Sequence, residues 1–158
     1  MQDFTHSMPM MLYRALNGVM PRFRAIFSEF GVTETQWRVL RILWERKRIG
    51  FRELGELSLI PAPSLVGVID RLCRDGLVER ERSTQDRRQV DILATAAGQA
   101  LEAQVMPAVS NAYAELSGAL DKQTHAHLMA GLSALANLAH APHQSAAPNP
   151  PRTLTGSQ

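Results

Sequence analysis

Apolar residues recur every three or four positions over six stretches of the chain, the spacing that places them on one face of an α-helix. Pro21 lies inside the first stretch and Pro107 inside the fifth, and each predicts a kink because proline cannot donate a backbone hydrogen bond. The predicted helices cover residues 8–30, 33–48, 52–59 and 63–75, then run from Thr95 or Ala96 to about Ser117, and from Asp121 to about residue 141.

Residues that end helices stand at the ends of these stretches. Thr33 and Gln36 have the spacing of a capping box, and Gly31 and Gly76 fall where a left-handed C-cap is favoured. The third and fourth helices are separated only by Ile60-Pro61-Ala62-Pro63, where the prolines break the helical pattern. Two short helices joined by a tight break predict a helix-turn-helix.

The segment after the fourth helix predicts a β-hairpin. Strands are expected at Val78–Arg82 and Gln89–Leu93, on either side of a polar tip at 83–88. Val90 and Ile92 alternate with polar residues, so the return strand can lay one face on the core. A short strand at residues 49–51 is expected to join this sheet. A hairpin directly after a helix-turn-helix is a wing, and the pattern therefore predicts a winged helix-turn-helix that binds nucleic acid.

Four motifs in this region occur in an order that resembles the MarR family of bacterial transcription regulators. They are Asp70-Arg71-Leu72, Gly76-Leu77-Val78, Asp86-Arg87-Arg88, and Leu93-Ala94-Thr95-Ala96-Ala97-Gly98, the last with one alanine inserted between the leucine and the threonine. Residues 33–43, TETQWRVLRIL, resemble the branch of that family that controls the catabolism of aromatic acids. The resemblance covers about residues 8–140.

The resemblance implies a mainly α fold with a small β wing. It implies a single domain over residues 1–141, in which about 33–95 form the DNA-binding part and 8–30 and 96–141 form dimerisation helices. Independently, the end helices are too apolar for the small winged part to cover, so a second copy of the chain is expected to cover them. A ligand-responsive repressor that binds a pseudo-palindromic, double-stranded DNA operator as a homodimer is the expected function.

Composition and charge agree with these expectations. Residues 38–88 hold 12 Lys and Arg against 8 Asp and Glu, whereas the rest of the chain has more acidic than basic residues. An excess of positive charge in the winged part suits phosphate binding. No apolar run is long enough to cross a membrane, and the single cysteine fits a reducing cytoplasm. The proline-rich, polar segment 142–158 is expected to be a disordered tail.

The candidate DNA contacts lie at the start and on the exposed side of the fourth helix, and at the wing tip. Ser64 can offer a hydroxyl to a phosphate or base edge, or can instead cap the helix. Arg71 and Arg74 are expected to meet phosphates, although Arg71 can alternatively pair with Asp70 or Asp75. The full set is Ala62, Pro63, Ser64, Val66, Gly67, Arg71, Arg74, Asp86, Arg87 and Arg88.

The fourth helix departs from the family pattern at Val66-Gly67, where the family usually has Ser or Thr followed by Arg. A bidentate arginine–guanine contact from position 67 is therefore lost, and Val66 can instead touch a thymine methyl. The resemblance places Arg88 at the wing tip in the minor groove, oriented by Asp86, with Arg87 on the DNA backbone. The wing is accordingly expected to carry much of the sequence specificity.

The resemblance also implies an effector pocket between the dimerisation helices and the winged part. A small aromatic or N-heteroaromatic carboxylate, such as a hydroxynicotinate-like or phenolic acid, suits a site where an arginine binds the carboxylate and aromatic side chains hold the ring. The candidates are His6, Tyr13, Arg14, Trp37 and Arg38. Trp37 can equally belong to the core, and Arg38 can serve a surface ion pair.

Two other interpretations of the winged helix remain open. A winged-helix module used for protein contacts is consistent with Val66-Gly67, and a redox-responsive regulator would act through Cys73, for which inert packing is the alternative. An enzyme is not expected, because the sequence shows no nucleophile–base pair, metal-ligand set or phosphate-binding glycine loop. His125 and His127 point to different faces of their helix, so no metal or other cofactor is expected.

Overall fold

The structure is a computed structural model that describes residues 3–82 and 89–138. It forms two compact units, one ending at Leu116 and one beginning at Ser117. After a short 3-10 turn, Phe4–His6, the elements are α1 (Met8–Glu29), α2 (Glu34–Arg46), β1 (Arg48–Gly50), α3 (Phe51–Ser58), α4 (Ala62–Arg74), β2 (Val78–Arg82), β3 (Val90–Ala94), α5 (Ala96–Gly118) and α6 (Lys122–Leu138). The expected fold class, mainly α with a small β wing, is confirmed.

The helix ends follow the predicted caps. Thr33 accepts a hydrogen bond from the Gln36 backbone at 3.3 Å, and the Gln36 side chain accepts one from the Thr33 backbone at 2.9 Å, which completes the capping box. Gly31 and Gly76 both have φ of +70°, the left-handed conformation that glycine adopts without steric cost. Pro21 and Pro107 lie within unbroken helices, α1 and α5.

The three strands form one antiparallel sheet in the order β1-β3-β2. Strand β1 begins one residue earlier than predicted, at Arg48, because Arg48 pairs with Leu93 in the ladder to β3. The prediction that Arg48 belongs to the end of the second helix is therefore wrong. Its guanidinium instead bridges Asp91, at 3.1 Å, and Glu81, which ties all three strands together.

The core of the first unit joins the faces of α1, α2, α4 and α5 with the sheet. Phe27 stacks on Trp37 with their ring centroids 4.5 Å apart, and Leu40, Leu65 and Ile69 are fully buried around them. Helix α3 ends at Ser58, one residue before the predicted end, because Leu59 adopts the left-handed conformation with φ of +54°. Of its leucines, Leu54 is buried and Leu57 is exposed.

The return strand β3 also differs from the expected alternation. Ile92 and Ala94 are buried, but Val90 on the same face is 40% exposed because it lies beyond the edge of the core. Asp91 on the opposite face is buried, and its ion pair with Arg48 compensates for the loss of hydration. The strand therefore buries a charged residue where the pattern predicts an exposed one.

The start of α5 is fastened to the end of α4 by close backbone contacts. The Thr95 hydroxyl donates a hydrogen bond of 2.6 Å to the Gly76 carbonyl, and the Trp44 indole donates one of 2.9 Å to the Gly98 carbonyl. A Cβ atom at Gly98 would lie 2.1 Å from the Leu77 carbonyl oxygen, so only glycine fits there. This junction explains the glycine that ends the fourth sequence motif.

The second unit contains the end of α5 and the helix α6. Asp121 caps α6 as predicted, since its carboxylate accepts hydrogen bonds of 3.0 Å from the backbone of Gln123 and Thr124. These bonds, with the Thr124 hydroxyl as the largest cause, hold the pKa of Asp121 below its ordinary value. Leu128 and Leu132 on α6 are exposed. The expected tail at 142–158 lies outside the described residues.

Candidate nucleic-acid interface

The helix α4 presents its first turn to solvent. Its cap position is Pro61, which makes no side-chain hydrogen bond, and Pro63 occupies the first turn as predicted. Ser64 is therefore the third helical residue rather than the cap. Ala62, Pro63 and Ser64 are all exposed, so small side chains cover this end of the helix. A surface of this kind can approach a DNA groove closely.

The rest of α4 divides cleanly into two faces. Leu65, Val68, Ile69 and Leu72 are buried and fix the helix on the core. Val66, Arg71 and Arg74 are exposed on other sides, and Gly67 is half-exposed. All seven of the candidate DNA contacts on this helix therefore lie outside the buried stripe.

The neighbouring acidic residues, Asp70 and Asp75, do not form an ion pair with Arg71. Asp70 pairs instead with Arg80 of strand β2, with its carboxylate oxygen 2.6 Å from the guanidinium nitrogen. Within the described part of the chain, neither Arg71 nor Arg74 forms an ion pair. The alternative in which Arg71 is neutralised by Asp70 is thus not observed, and both arginines are free to meet an anionic partner.

The wing combines strands that the structure describes with a tip that it does not. Asp86, Arg87 and Arg88 lie outside the described residues, so their predicted DNA contacts stay predictions. The strands place Arg80 and Arg82 on the exposed surface. Arg48 links the strands through its ion pairs with Asp91 and Glu81. These carboxylates, Asp91 first, raise the pKa of the Arg48 guanidinium above its ordinary value.

An open groove of about 670 Å³ is bordered by the start of α3, the exposed side of α4 and the wing strands. It is lined by Phe51, Arg52, Val66, Arg80, Gln89 and Val90. Arg52 and Arg80 are not among the DNA contacts predicted from the sequence. Their positive charge next to the predicted helix-turn-helix and wing could have marked both arginines as candidates. Nothing in the sequence, however, shows that they line the same groove as Val66.

Cys73 is half-buried against the core beside the end of α4. Burial raises the pKa of its thiol, and although the charge of Arg80 opposes this effect, Asp70 and Glu79 reinforce it. A raised pKa favours the protonated thiol, which is the less reactive form. The environment therefore supports the packing interpretation of Cys73 over the redox interpretation.

Two of the five candidate effector residues lie together on α2. Trp37 is 7% exposed, and its ring is stacked on Phe27 and set edge-on to Trp44, so it belongs to the core. Arg38 donates a hydrogen bond of 3.0 Å to the Ser58 carbonyl instead of forming a surface ion pair. Both line a shallow depression of about 200 Å³ that also contains Arg41, Ile42, Leu57 and Ser58.

The other three candidates are not part of this depression. His6 contacts the Asp3 carboxylate at 3.0 Å in the turn before α1, and Tyr13 and Arg14 are exposed on α1. Within one chain, the five candidate effector residues therefore do not form a single site. Across the residues that the structure describes, no group of His, Cys, Asp or Glu side chains could hold a metal ion.

A helix-turn-helix with an exposed, partly cationic second helix, followed by an antiparallel wing, defines a winged-helix DNA-binding protein. The comparisons with known proteins give the family. Residues 32–90 match the model of the MarR family. Over 134 residues the chain is 35% identical to the homoprotocatechuate degradative operon repressor of Escherichia coli, which covers 83% of this chain and 90% of that protein.

Solved structures agree with this result. NadR, in a crystal structure with 4-hydroxyphenylacetate, is 30% identical with a TM-score of 0.75, and the match covers 87% of this chain and 98% of that one. BpsR of Bordetella bronchiseptica superposes with a TM-score of 0.79 over 87% of this chain and 98% of its own, but at 21% identity it supports the fold alone.

The chain belongs to the MarR family, and it is a DNA-binding transcriptional repressor of that family rather than an enzyme. The predicted resemblance is thereby confirmed. In the described ranges, no helix has both the length and the hydropathy needed to span a membrane.

Proposed function

We propose that this repressor binds a two-fold symmetric operator as a homodimer, in the cytoplasm, and that a small aromatic or N-heteroaromatic carboxylate releases it from the DNA. The observation that carries the DNA-binding mode is the exposed face of α4, where Arg71 and Arg74 lack acidic partners among the described residues. Cations that are not neutralised within the protein can bind phosphates and displace counterions. The first turn of α4 is small enough to enter the major groove.

The homodimer is supported by apolar side chains that the single chain leaves exposed. On α1, Met8 is 58% exposed and Leu16 is 56% exposed, and on α6, Met129 is 50% exposed. Exposed apolar surface of this extent marks a site of protein association. A two-fold dimer would present two copies of α4 about 34 Å apart, which is one turn of DNA.

The effector class is supported by the unpaired guanidinium nitrogen of Arg38. The Arg38 Nε atom is buried and has no hydrogen-bond partner among the described residues, and Arg38 lines the depression together with Trp37. A buried donor without a partner costs about 1–3 kcal/mol, which a carboxylate oxygen would recover. NadR was solved with 4-hydroxyphenylacetate, an acid of this class, and the Escherichia coli relative is named for an aromatic degradative operon.

The experiment is a titration of acids into the protein–DNA complex. A duplex is first selected by the wild-type protein from a randomised library. Complex formation is then followed by fluorescence anisotropy as 4-hydroxyphenylacetate, hydroxynicotinates and benzoates are added. We expect at least one of these acids to release the DNA. A protein that selects no sequence at all would reject the DNA-binding mode, and a complex indifferent to every acid would reject the effector class.

Two arginine variants locate the carboxylate. Arg38→Lys keeps the positive charge and a donor for the Ser58 carbonyl, but it removes the unpaired Nε–H group. Arg46→Lys makes the same change at an exposed position in the last turn of α2, outside the depression. We expect the releasing acid to act on the control as on the wild type, and to require about tenfold more acid for Arg38→Lys. An equal response of both variants would place the carboxylate away from Arg38.

A further inference from the structure

We propose that Arg71 reads base edges through the space that Gly67 leaves open, and that it is the arginine of α4 that sets sequence specificity. This proposal rests on the proposed DNA-binding mode, and within it Arg71 contacts bases whereas Arg74 contacts phosphates. From the sequence, Arg71 and Arg74 are expected to meet phosphates alike, and position 67 is expected to leave the helix without a base-reading arginine.

The geometry places the Arg71 guanidinium over Gly67. Apart from the backbone of its own helix, a Cβ atom added to Gly67 would have one atom of the described residues within 4 Å, the Nη1 atom of Arg71 at 3.7 Å. Side chains of a helix lean towards its N-terminus, so the side chain at one position covers the residue four positions earlier. Because Gly67 has no side chain, the guanidinium can occupy the place that a side chain at 67 would fill.

This displacement changes which part of the DNA the guanidinium can reach. The backbone of Arg71 lies in the second half of α4, and its guanidinium is carried back by about 6 Å, the rise of four helical residues. In helix-turn-helix proteins the N-terminal residues of the recognition helix contact the base edges. The guanidinium of Arg71 thus lies beside Gly67, on the same helix as the small, exposed residues Ala62, Pro63 and Ser64 that are suited to the major groove.

The surrounding charges leave Arg71 available for this contact. Asp70, the adjacent acid, is taken by Arg80, and Asp75 contacts Arg71 through its backbone, donating a hydrogen bond of 2.9 Å to the Arg71 carbonyl. The fork of guanidinium donors matches the O6 and N7 acceptors of guanine. Arg74 lies a further turn from the N-terminus and is left for the phosphates.

The test uses the duplex selected by the wild-type protein, together with duplexes in which each G·C pair is replaced in turn by A·T. Arg71→Lys keeps the charge but loses the fork, and Arg74→Lys is the matched control. Anisotropy gives the affinity of each variant for every duplex at several salt concentrations, and circular dichroism verifies the fold. We expect Arg71→Lys to lose at least about tenfold in preference for one G·C pair, with an unchanged salt slope.

The binding measurements distinguish a failure of the Arg71 proposal from a failure of the proposed DNA-binding mode. Arg74→Lys is expected to keep every base preference of the wild type. If Arg71→Lys also keeps every preference, or weakens all duplexes by one common factor, Arg71 contacts phosphate and the inference is overturned. A wild-type protein that selects no sequence would instead overturn the proposed DNA-binding mode itself.

Discussion

The ion pair between Asp70 and Arg80 determines the chemistry of the residues beside it. Because Asp70 is occupied by a strand of the wing, Arg71 keeps its charge for an external partner. The same cluster acts on Cys73, whose thiol lies near Arg80, Asp70 and Glu79. Asp70 therefore links the recognition helix to the wing, and with Arg80 and Glu79 it also contributes to the electrostatic surroundings of the only cysteine.

The raised pKa of Cys73 predicts slow alkylation. At pH 8 a smaller fraction of a thiol with a raised pKa is present as thiolate, and the thiolate is the reacting form. We expect iodoacetamide to modify the folded protein more slowly than the urea-unfolded protein at this pH. We also expect the alkylation rate of the folded protein to reach its plateau at a higher pH than that of the unfolded protein. Mass spectrometry measures both rates. Faster alkylation of the folded protein would restore the redox interpretation.

Among the elements, α4 and α5 meet at a close backbone junction, where a Cβ atom at Gly98 would lie 2.1 Å from the Leu77 carbonyl oxygen. Thr95, Gly98 and Trp44 connect the first turn of α5 to the residues that follow α4 and to α2. Since Trp44 is also set edge-on to Trp37, this junction adjoins the depression proposed for the effector. The position of α4 therefore depends on how closely α5 approaches it.

Gly98→Ala is expected to destabilise the fold by about 3 kcal/mol or more, because the added methyl group would lie 2.1 Å from a backbone oxygen that cannot rotate away. The matched control is Gly67→Ala in the interior of α4, where the nearest atom is the flexible end of Arg71 at 3.7 Å. We expect the control to gain about 0.5–1 kcal/mol from the helix propensity of alanine. Urea unfolding at one fixed protein concentration measures both, and equal stabilities would show that the junction relaxes.

At the scale of the whole molecule, the apolar stripe of α1 is only half used by its own chain. Phe23 and Phe27 are buried, but Leu12 and Leu16 on the same stripe are exposed. The helix α6 has no buried residue at all within its described length. A protein with stripes left open in this way needs a second copy or another partner to cover them.

Leu16→Glu is therefore expected to convert the dimer to monomer at micromolar concentration, since burying an unpaired carboxylate costs several kcal/mol. Ala25→Glu is the control, because Ala25 is exposed on α1 opposite the stripe that holds Phe23 and Phe27. We expect the wild type and this control to sediment as dimers down to nanomolar concentration. A folded wild-type monomer at micromolar concentration would contradict the proposal.

The spacing of residues along the chain is enough to predict the secondary-structure elements and their order. The periodic apolar positions, the capping box at Thr33 and Gln36, and the glycines at 31 and 76 act through neighbours within a few residues, so their spacing alone predicts the helices and their ends. The same periodicity separated the exposed face of α4 from its buried stripe. The strand predicted at 49–51 begins instead at Arg48, because its start is set by backbone pairing with Leu93 and not by the side-chain pattern.

The contacts between residues far apart in the chain could not be predicted in this way, because they depend on how the elements pack. Arg48 bridges Glu81 and Asp91, Asp70 selects Arg80 over Arg71, and Gly98 contacts the Leu77 carbonyl. In each case the partners are brought together by the packing of separate elements, and the sequence offers several equally charged or equally small alternatives nearby. An ion pair or a close backbone contact depends on distances of a few ångströms, and these distances are set only once the core has fixed how the helices and the sheet lie against one another.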